Sequence, residues 1–272
     1  MGRIIIRTLF GDVENNERLR TMVDITLENE DSFIRDNLNF TPITYFVLGD
    51  KNEKYLKNKN VKNIVKISSN PDARPHPYQE MPFYYNKTYL ANEAIKMLGK
   101  NPEIVLLDMD ARVLKWPDER MWELYGLKKN NPAHFQGVTR CGYKHDQRVP
   151  ITPADENIQG VERNMLITTC VTYCNDPAMW EEYLNTFMEL YLRLKNNPWN
   201  YWYTKRSHKG FPIENWHDEH VLFYWFDKHF GLKTTDEIVE MVEQHSIIKL
   251  NQSPPQARAI KNKNDLYFKH KG

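Results

Sequence analysis

The sequence has little cysteine, little glycine and no long apolar run, and each scarcity removes a class of protein. Its 272 residues include 3 Cys and 11 Gly, too few for a disulfide-stapled or a collagen-like chain. Cys141, Cys170 and Cys174 cannot all pair within one chain, so we expect reduced thiols and a reducing compartment. No stretch approaches the roughly 18 apolar residues of a membrane span, and the first residues lack the apolar core of a secretory signal. We therefore expect a soluble, cytoplasmic protein without a membrane span.

An excess of one charge is also missing. The chain has 37 Lys and Arg against 36 Asp and Glu, a formal net charge of +1, so no overall basic field exists to gather nucleic acid. The locally basic stretch from Lys261 to Lys271 is predicted to be a solvated tail. Aromatic residues are plentiful, with 7 Trp, 15 Tyr and 12 Phe. A chain of this size and composition can form a large core without disulfides.

Strand and helix patterns alternate through the first half of the chain. Apolar and β-branched runs predict strands over residues 3–10, 43–48, 61–67 and 103–107. Apolar periodicity predicts helices over 14–30 and 86–98, and residues 51–60 form a charged helix or loop. Four prolines between Ser68 and Pro82 predict a segment without regular structure. This order is typical of an α/β fold with a mostly parallel central sheet flanked by helices.

The second half is less regular. Strands are predicted over residues 135–141, 164–173 and 247–250, and helices over 177–195 and 217–230. Between those helices lies a loop rich in aromatic and basic residues, 199–210. No repeat or linker interrupts the chain, so we expect one domain over residues 1–272.

Ligands of a mostly parallel sheet bind beyond the carboxyl ends of its strands. At those ends this chain carries Thr8, Phe10, Asp50, Ser68, Asp108 and Asp110. Asp108 and Asp110 directly follow an apolar strand without alternation, which is the pattern of a strand buried on both faces. Carboxylate oxygens there suit Mg²⁺ or Mn²⁺, although two carboxylates could also simply cap the strand end.

The residues around this acidic pair resemble a known family. The helix from Asn86-Lys87-Thr88 through Ala94-Ile95, followed by the stretch from Asn101 to Ala111, is similar to the core of GT-A fold glycosyltransferases. In that family a Lys-bearing helix precedes a strand that ends in an Asp-x-Asp motif. The similarity is strong over residues 84–114 and only architectural elsewhere.

The resemblance implies an enzyme, a hexosyl- or pentosyltransferase dependent on Mn²⁺ or Mg²⁺. It would move a sugar from a UDP- or GDP-sugar, with UDP favoured, to a hydroxyl of a glycan or glycoconjugate acceptor. Residues 1–114 would form the half that binds the nucleotide sugar, and residues 115–272 the half that binds the acceptor.

Donor-side roles also follow from the resemblance. Asp108 would contact the ribose or the metal, and Asp110 would bind the metal. Lys87 would lie near the donor nucleotide or sugar, unless it is an exposed helix lysine. Thr8 and Phe10 would line the base pocket, unless they are ordinary strand-end residues.

Two further donor-side positions follow from the resemblance, each with an alternative. Asp50 would approach the uracil or ribose, or would be an ordinary strand-end residue. His245 would be a third metal ligand, as in several GT-A families, but the usual residues around it are missing, and a surface histidine is the alternative.

Acceptor-side roles fall in the second half. Asp218 and Glu219 open a predicted helix, where a GT-A enzyme places an acidic residue beside the acceptor; helix capping is the alternative. If the enzyme inverts, one of them would be the general base, and if it retains, it would position the donor sugar or support the cationic transition state. The loop after residue 198 would close over donor and acceptor, or would pack onto the body through its aromatic rings. Its candidate lid residues are Trp199, Trp202, Lys205 and Arg206.

Two other functions compete with this one. A sugar-nucleotide nucleotidyltransferase shares such a sheet and acidic site, but normally has a Gly-rich basic loop after the first strand. Here residues 11–16 are acidic and contain one Gly, which disfavours it. A lectin-like or nucleotide-sensing module without catalysis would need neither the metal carboxylates nor the acceptor-side acid.

Overall fold

The fold is known from a computed structural model that describes residues 3–36, 42–70, 80–98, 103–126, 136–139, 167–174, 177–196, 248–250 and 267–270. The helices are α1 (Glu17–Asp36), α2 (Asp50–Asn58), α3 (Glu80–Leu98), α4 (Glu119–Gly126) and α5 (Pro177–Asn196). The strands are β1 (Arg3–Leu9), β2 (Ile43–Leu48), β3 (Ile64–Ile67), β4 (Glu103–Leu107), β5 (Ala111–Val113), β6 (Gln136–Thr139), β7 (Ile167–Cys174), β8 (Ile248–Leu250) and β9 (Phe268–His270). No helix within these ranges is long and apolar enough to cross a bilayer.

Six strands form the central sheet in the order β3-β2-β1-β4-β7-β6. The first four are parallel to one another, while β7 runs antiparallel to β4 and β6 antiparallel to β7. The predicted α/β architecture, a mostly parallel central sheet flanked by helices, is therefore confirmed. The carboxyl ends of β1, β2, β3 and β4 meet at one edge, because parallel strands end on the same side.

Helices cover both faces of the sheet, as right-handed crossovers require when the strand order reverses at β1. On one face, Leu19, Val23 and Leu27 of α1 and Leu56 of α2 share a buried cluster with the strands. On the other face, α3 contacts β1 and β2 and packs against α5, with the rings of Tyr85 and Phe187 5.4 Å apart. All five residues of β4 are buried, which confirms the two-sided burial predicted from its unbroken apolar run.

A second, three-stranded sheet has the order β5-β9-β8. Its β5 follows the acidic pair directly, and β9 pairs with it antiparallel. Tyr267 and Phe268 are fully buried. The prediction of a solvated tail over residues 261–271 is thus wrong for residues 267–270, because the buried rings of Tyr267 and Phe268 join this basic stretch to the core and β9 pairs with β5.

Several predicted boundaries also differ. Residues 68–82 are predicted to lack regular structure and a helix to begin at residue 86, yet α3 begins at Glu80 and includes Pro82. Proline is tolerated in the first turn of a helix, since its missing N–H would have no partner there. Helix α1 begins later than predicted, at Glu17, after Asn16, whose side-chain oxygen accepts the Leu19 N–H at 3.0 Å. Strand β3 starts at Ile64 instead of residue 61.

Candidate active site

The predicted donor-side residues that follow β1 and β2 lie along the edge where the parallel strands end. Thr8 lies within β1 and is 2% exposed, and Phe10 follows that strand and is half-buried. Asp50 is the exposed first residue of α2. Its carboxylate accepts a hydrogen bond from Lys66 Nζ at 2.8 Å, which lowers the pKa of Asp50. Lys66 bonds one oxygen of this carboxylate, and the Asp50 side chain is 87% exposed, so a ligand could reach it without displacing Lys66.

The acidic pair lies in a short stretch, residues 108–113, which we call the acidic segment. It leaves β4 in a turn, closed by the Ala111 N–H, which donates to the carbonyl of Asp108 at 3.0 Å, and it continues into β5. Met109 and Ala111 are buried in the core, whereas Asp108 and Asp110 are partly exposed. This alternation fixes the segment to the core through its apolar members and leaves both carboxylates accessible.

Asp108 has a cationic neighbour from α3. Lys87 Nζ lies 2.6 Å from Asp108 Oδ1, and the two side chains are 7% and 26% exposed. The interpretation of Lys87 as an exposed helix lysine is therefore wrong: α3 packs on the sheet and brings the ammonium group to the carboxyl end of β4. A charged pair at this edge can contact a ligand that displaces water from the accessible side of Asp108.

Arg7 supports the acidic segment from within the core. It is fully buried, and its Nε donates to Glu30 Oε1 at 2.6 Å. Its Nη2 donates to the Ala111 carbonyl at 2.7 Å and its Nη1 to the Asp108 carbonyl. The Tyr45 hydroxyl donates to the other oxygen of Glu30. Burial raises the pKa of Tyr45, and the negative charge of Glu30 raises it further, so this hydroxyl stays a donor.

Helix α1 also forms hydrogen bonds with the acidic segment. The Thr26 hydroxyl donates to the Met109 carbonyl. Asn29 makes two bonds to Val113: its Nδ2 donates to the carbonyl at 3.1 Å, and its Oδ1 accepts the N–H at 2.9 Å. Side chains of β1 and α1 thus bind four carbonyls between residues 108 and 113, so the segment has little freedom to change conformation.

The sequence interpretation missed these supporting residues. Of these residues, only Arg7 could have been identified from the sequence, since a charged residue inside an otherwise apolar, central strand needs a buried partner. Glu30, Thr26 and Asn29 face the segment only because α1 crosses the sheet beside β5, which periodicity in the sequence does not reveal.

An open cleft of about 510 Å³ lies between α1 and the acidic segment. It is lined by Glu17, Arg18, Thr21, Met22, Ile25, Thr26, Asp110 and Arg112. Asp110 therefore faces a space large enough for part of a ligand, and Arg112 brings a positive charge to the same wall.

The acidic segment fits a divalent cation by the chemistry of its donors. Mg²⁺ is commonly held by one or two carboxylates, with substrate phosphates and waters completing the shell. Asp108 and Asp110 supply two accessible carboxylates, and Lys87 and Arg112 supply cations that could meet phosphate oxygens. Within the described part of the chain, no group of three or more His, Cys, Asp or Glu side chains is placed to hold a metal.

The remaining predicted site residues lie outside the described residues. They are Asp218, Glu219, His245, Trp199, Trp202, Lys205 and Arg206. The predicted helix over 217–230 and the aromatic loop lie outside them as well, so the acceptor-side assignments stay predictions.

Comparison with known proteins gives a likeness of structure only. No protein-family model and no curated protein sequence matches the chain. Galactosyltransferase LgtC, solved with donor and acceptor sugar analogs, is 13% identical, with 98% of this chain and 87% of that chain covered and a TM-score of 0.47. Mouse xyloside xylosyltransferase 1 is 10% identical, with 85% and 83% covered and a TM-score of 0.43.

A third similar structure is a putative glucose-1-phosphate thymidylyltransferase from Bacillus anthracis. It is 6% identical, with 84% of each chain covered and a TM-score of 0.41. Glycosyltransferases thus stand among the solved structures that the chain resembles, beside a nucleotidyltransferase. All three TM-scores lie below 0.5, so a function has to be supported by the residues of the site themselves.

Proposed function

We propose that this protein is a glycosyltransferase that moves a sugar from a nucleotide sugar, with a UDP-sugar favoured, to a hydroxyl of a glycan or glycoconjugate. The observation that carries the proposal is the acidic segment. Asp108 and Asp110 are accessible at the carboxyl end of a buried central strand, and buried Lys87 lies 2.6 Å from Asp108. Such an edge is where an α/β sheet binds its ligands.

The residues divide the work by their chemistry. Asp108 and Asp110 would hold Mn²⁺ or Mg²⁺, which when bound stabilises the charge of a departing diphosphate. Lys87 and Arg112 would bind phosphate oxygens, and Phe10 and Asp50 lie along the same edge, where the nucleoside would be placed. The rigid backbone of the acidic segment keeps the carboxylates in position before the donor arrives.

The transfer itself exchanges one bond for another. The bond from the anomeric carbon to the phosphate oxygen breaks, and a bond from that carbon to the acceptor oxygen forms, with the nucleoside diphosphate as leaving group. The acceptor hydroxyl loses its proton. In an inverting reaction we assign that proton to Asp218 or Glu219, and in a retaining reaction the same carboxylate would support the positive charge of the sugar.

The loop after β1 argues against the nucleotidyltransferase alternative. In place of a basic, Gly-rich loop it carries Asp12, whose carboxylate accepts hydrogen bonds from Asn15 and from Lys51 Nζ. These hydrogen bonds lower the pKa of Asp12 to about 2, and the bond from Asn15 contributes most. The loop therefore presents a negative charge where a nucleoside triphosphate would need a positive one.

A screen of nucleotide sugars tests the proposal, because many transferases slowly hydrolyse their own donor. We expect release of nucleoside diphosphate from one donor in Mn²⁺ or Mg²⁺ and no release in EDTA. Asp110→Asn should lower that rate at least about 100-fold with a nearly unchanged melting temperature. Glu181→Gln, which neutralises an exposed carboxylate on α5, is the matched control and should retain full activity.

Three results would count against the proposal. Full activity in EDTA would remove the metal role. Pyrophosphate formation from a nucleoside triphosphate and a sugar 1-phosphate would favour the nucleotidyltransferase. Nucleotide binding without turnover for any donor would favour the non-catalytic module.

On the acceptor side, Asp218→Asn should lower kcat by roughly 100-fold with little change in donor affinity. A capping role predicts instead a loss of about 1 kcal/mol in stability alone.

A further inference from the structure

Arg7 occupies a position where a charged side chain is costly unless every polar group has a partner. The residue is fully buried in β1, in the middle of the sheet. Nε, Nη1 and Nη2 each donate a hydrogen bond, to Glu30, to the Asp108 carbonyl and to the Ala111 carbonyl. A hydrophobic residue of similar volume often serves a core equally well, so core packing alone does not require an arginine here.

The geometry of the guanidinium group explains what an arginine adds. Its donors are planar and point in fixed directions, unlike the single ammonium of lysine. Because two of them bind carbonyls three residues apart, they fix how the backbone turns between Asp108 and Ala111. Asp110 lies inside that turn, and the third donor ties the group to Glu30.

We propose that Arg7 is a positioning residue that holds the acidic segment in the conformation in which Asp108 and Asp110 receive a divalent cation. The proposal rests on the proposed function, since it takes the two carboxylates as the cation site. Arg7 contacts neither carboxylate in this arrangement; it acts through the backbone carbonyls of residues 108 and 111.

Arg7→Lys is the informative variant. Lysine keeps a positive charge beside Glu30, but one ammonium group cannot reproduce three donors in one plane. We expect Mn²⁺ to bind about tenfold more weakly or worse, as when groups that orient metal ligands are changed. Affinity is measured with Mn²⁺ alone, from the electron paramagnetic resonance signal of the free ion. Binding that persists in Asp110→Asn is subtracted as nonspecific.

Two control variants separate positioning from stability. Tyr45→Phe removes the hydroxyl bond to Glu30 and leaves both carbonyl bonds of Arg7 in place. Leu56→Ala opens a cavity in the same core, on α2 and away from the acidic segment, and should lower the melting temperature. Both should bind Mn²⁺ as the unchanged protein does. In metal-free protein, the Ala111 amide should exchange its hydrogen faster in Arg7→Lys than in either control.

The outcomes are separable. Unchanged Mn²⁺ affinity in Arg7→Lys overturns the positioning role and leaves the proposed function standing. An equal loss of affinity in Leu56→Ala also overturns it, because general destabilisation would then explain the effect. If the unchanged protein shows no Mn²⁺ binding that Asp110→Asn abolishes, the positioning proposal fails, whereas the proposed function is decided by donor turnover in Mn²⁺ against EDTA, where the phosphates of the donor complete the metal shell.

Discussion

Two ion pairs meet the acidic segment from opposite faces of the sheet, and they differ in their access to water. In the inner pair, the side chains of Arg7 and Glu30 are 0% and 5% exposed. In the outer pair, Lys87 is 7% exposed but Asp108 is 26% exposed. The protein satisfies the inner charges completely, so that pair fixes a conformation. The outer carboxylate keeps one side toward solvent, so that pair can respond to a ligand.

The largest expected effect comes from breaking the inner pair. Glu30→Ala leaves the guanidinium of Arg7 buried without its carboxylate, and loss of one partner of a buried pair costs about 3–5 kcal/mol. We expect that loss in the free energy of unfolding, measured by urea denaturation at pH 7. Glu28→Ala removes an exposed carboxylate from the same helix and should change stability by less than about 0.5 kcal/mol. Equal losses of stability in Glu30→Ala and Glu28→Ala would show that the buried pair stabilises the fold no more than an exposed carboxylate does.

Breaking the outer pair should cost less stability and more activity. In Lys87→Met, water can still solvate the exposed side of Asp108, so we expect a loss of about 1–2 kcal/mol. Donor turnover should fall about tenfold or more, because the cation beside the phosphate site is gone. Lys96→Met is the control on α3, because the exposed ammonium of Lys96 pairs with Glu93, three residues earlier on the same helix, and not with the acidic segment. A Lys87→Met protein with full turnover and a large loss of stability would show the outer pair to be structural.

The smallest expected effect comes from a third cluster, formed by Lys115, Asp118 and Tyr267. The charged side chains of Lys115 and Asp118 are more exposed than those of the other two pairs. Tyr267 donates to Asp118 at 2.6 Å, and Lys115 Nζ lies 2.8 Å from the same carboxylate. Burial alone would raise the pKa of Asp118, but the bonds from Lys115 and Tyr267 outweigh it and lower that pKa below 3.8. The cluster's stabilisation is therefore fully present at pH 7 and is lost as the pH falls through the folded-state value.

Tyr267→Phe measures that contribution. At pH 7 we expect a loss of about 0.5–1 kcal/mol in the free energy of unfolding, the net value of one partly exposed hydrogen bond. The difference between the two proteins should shrink in acid, once Asp118 is protonated. A constant difference across the pH range would mean that the hydroxyl stabilises the fold by packing and not through the carboxylate.

Sequence patterns predicted the parts of the fold that depend on local periodicity. Residues 43–48 and 103–107 form strands with the predicted bounds, because both are mostly apolar runs bounded by proline, glycine or aspartate. Helix α5 begins at Pro177 as predicted, since proline suits the first helical position. Strands β5 and β9 were missed: each has three residues, and their pairing depends on contacts distant in sequence.

The candidate site was likewise predictable only where its residues are close together in the sequence. Asp108 and Asp110 could be found because a buried strand and two carboxylates are adjacent in sequence. The family resemblance placed Lys87 near the donor nucleotide or sugar, and its contact with Asp108 became known only from the structure. The support from Arg7, Glu30, Thr26 and Asn29 could not be predicted, because it depends on how α1 lies across the sheet.

The pairing of β5 with β9 also bears on when the site can be completed during synthesis. Tyr267 and Asp118, which join these regions, are 149 positions apart, so the loop between them must close before β5 gains its partner. Residues 103–113 leave the ribosome long before residues 267–270. Contacts of such long range form slowly, so the nascent chain carries an acidic segment with an unpaired β5 edge until its last described strand is made.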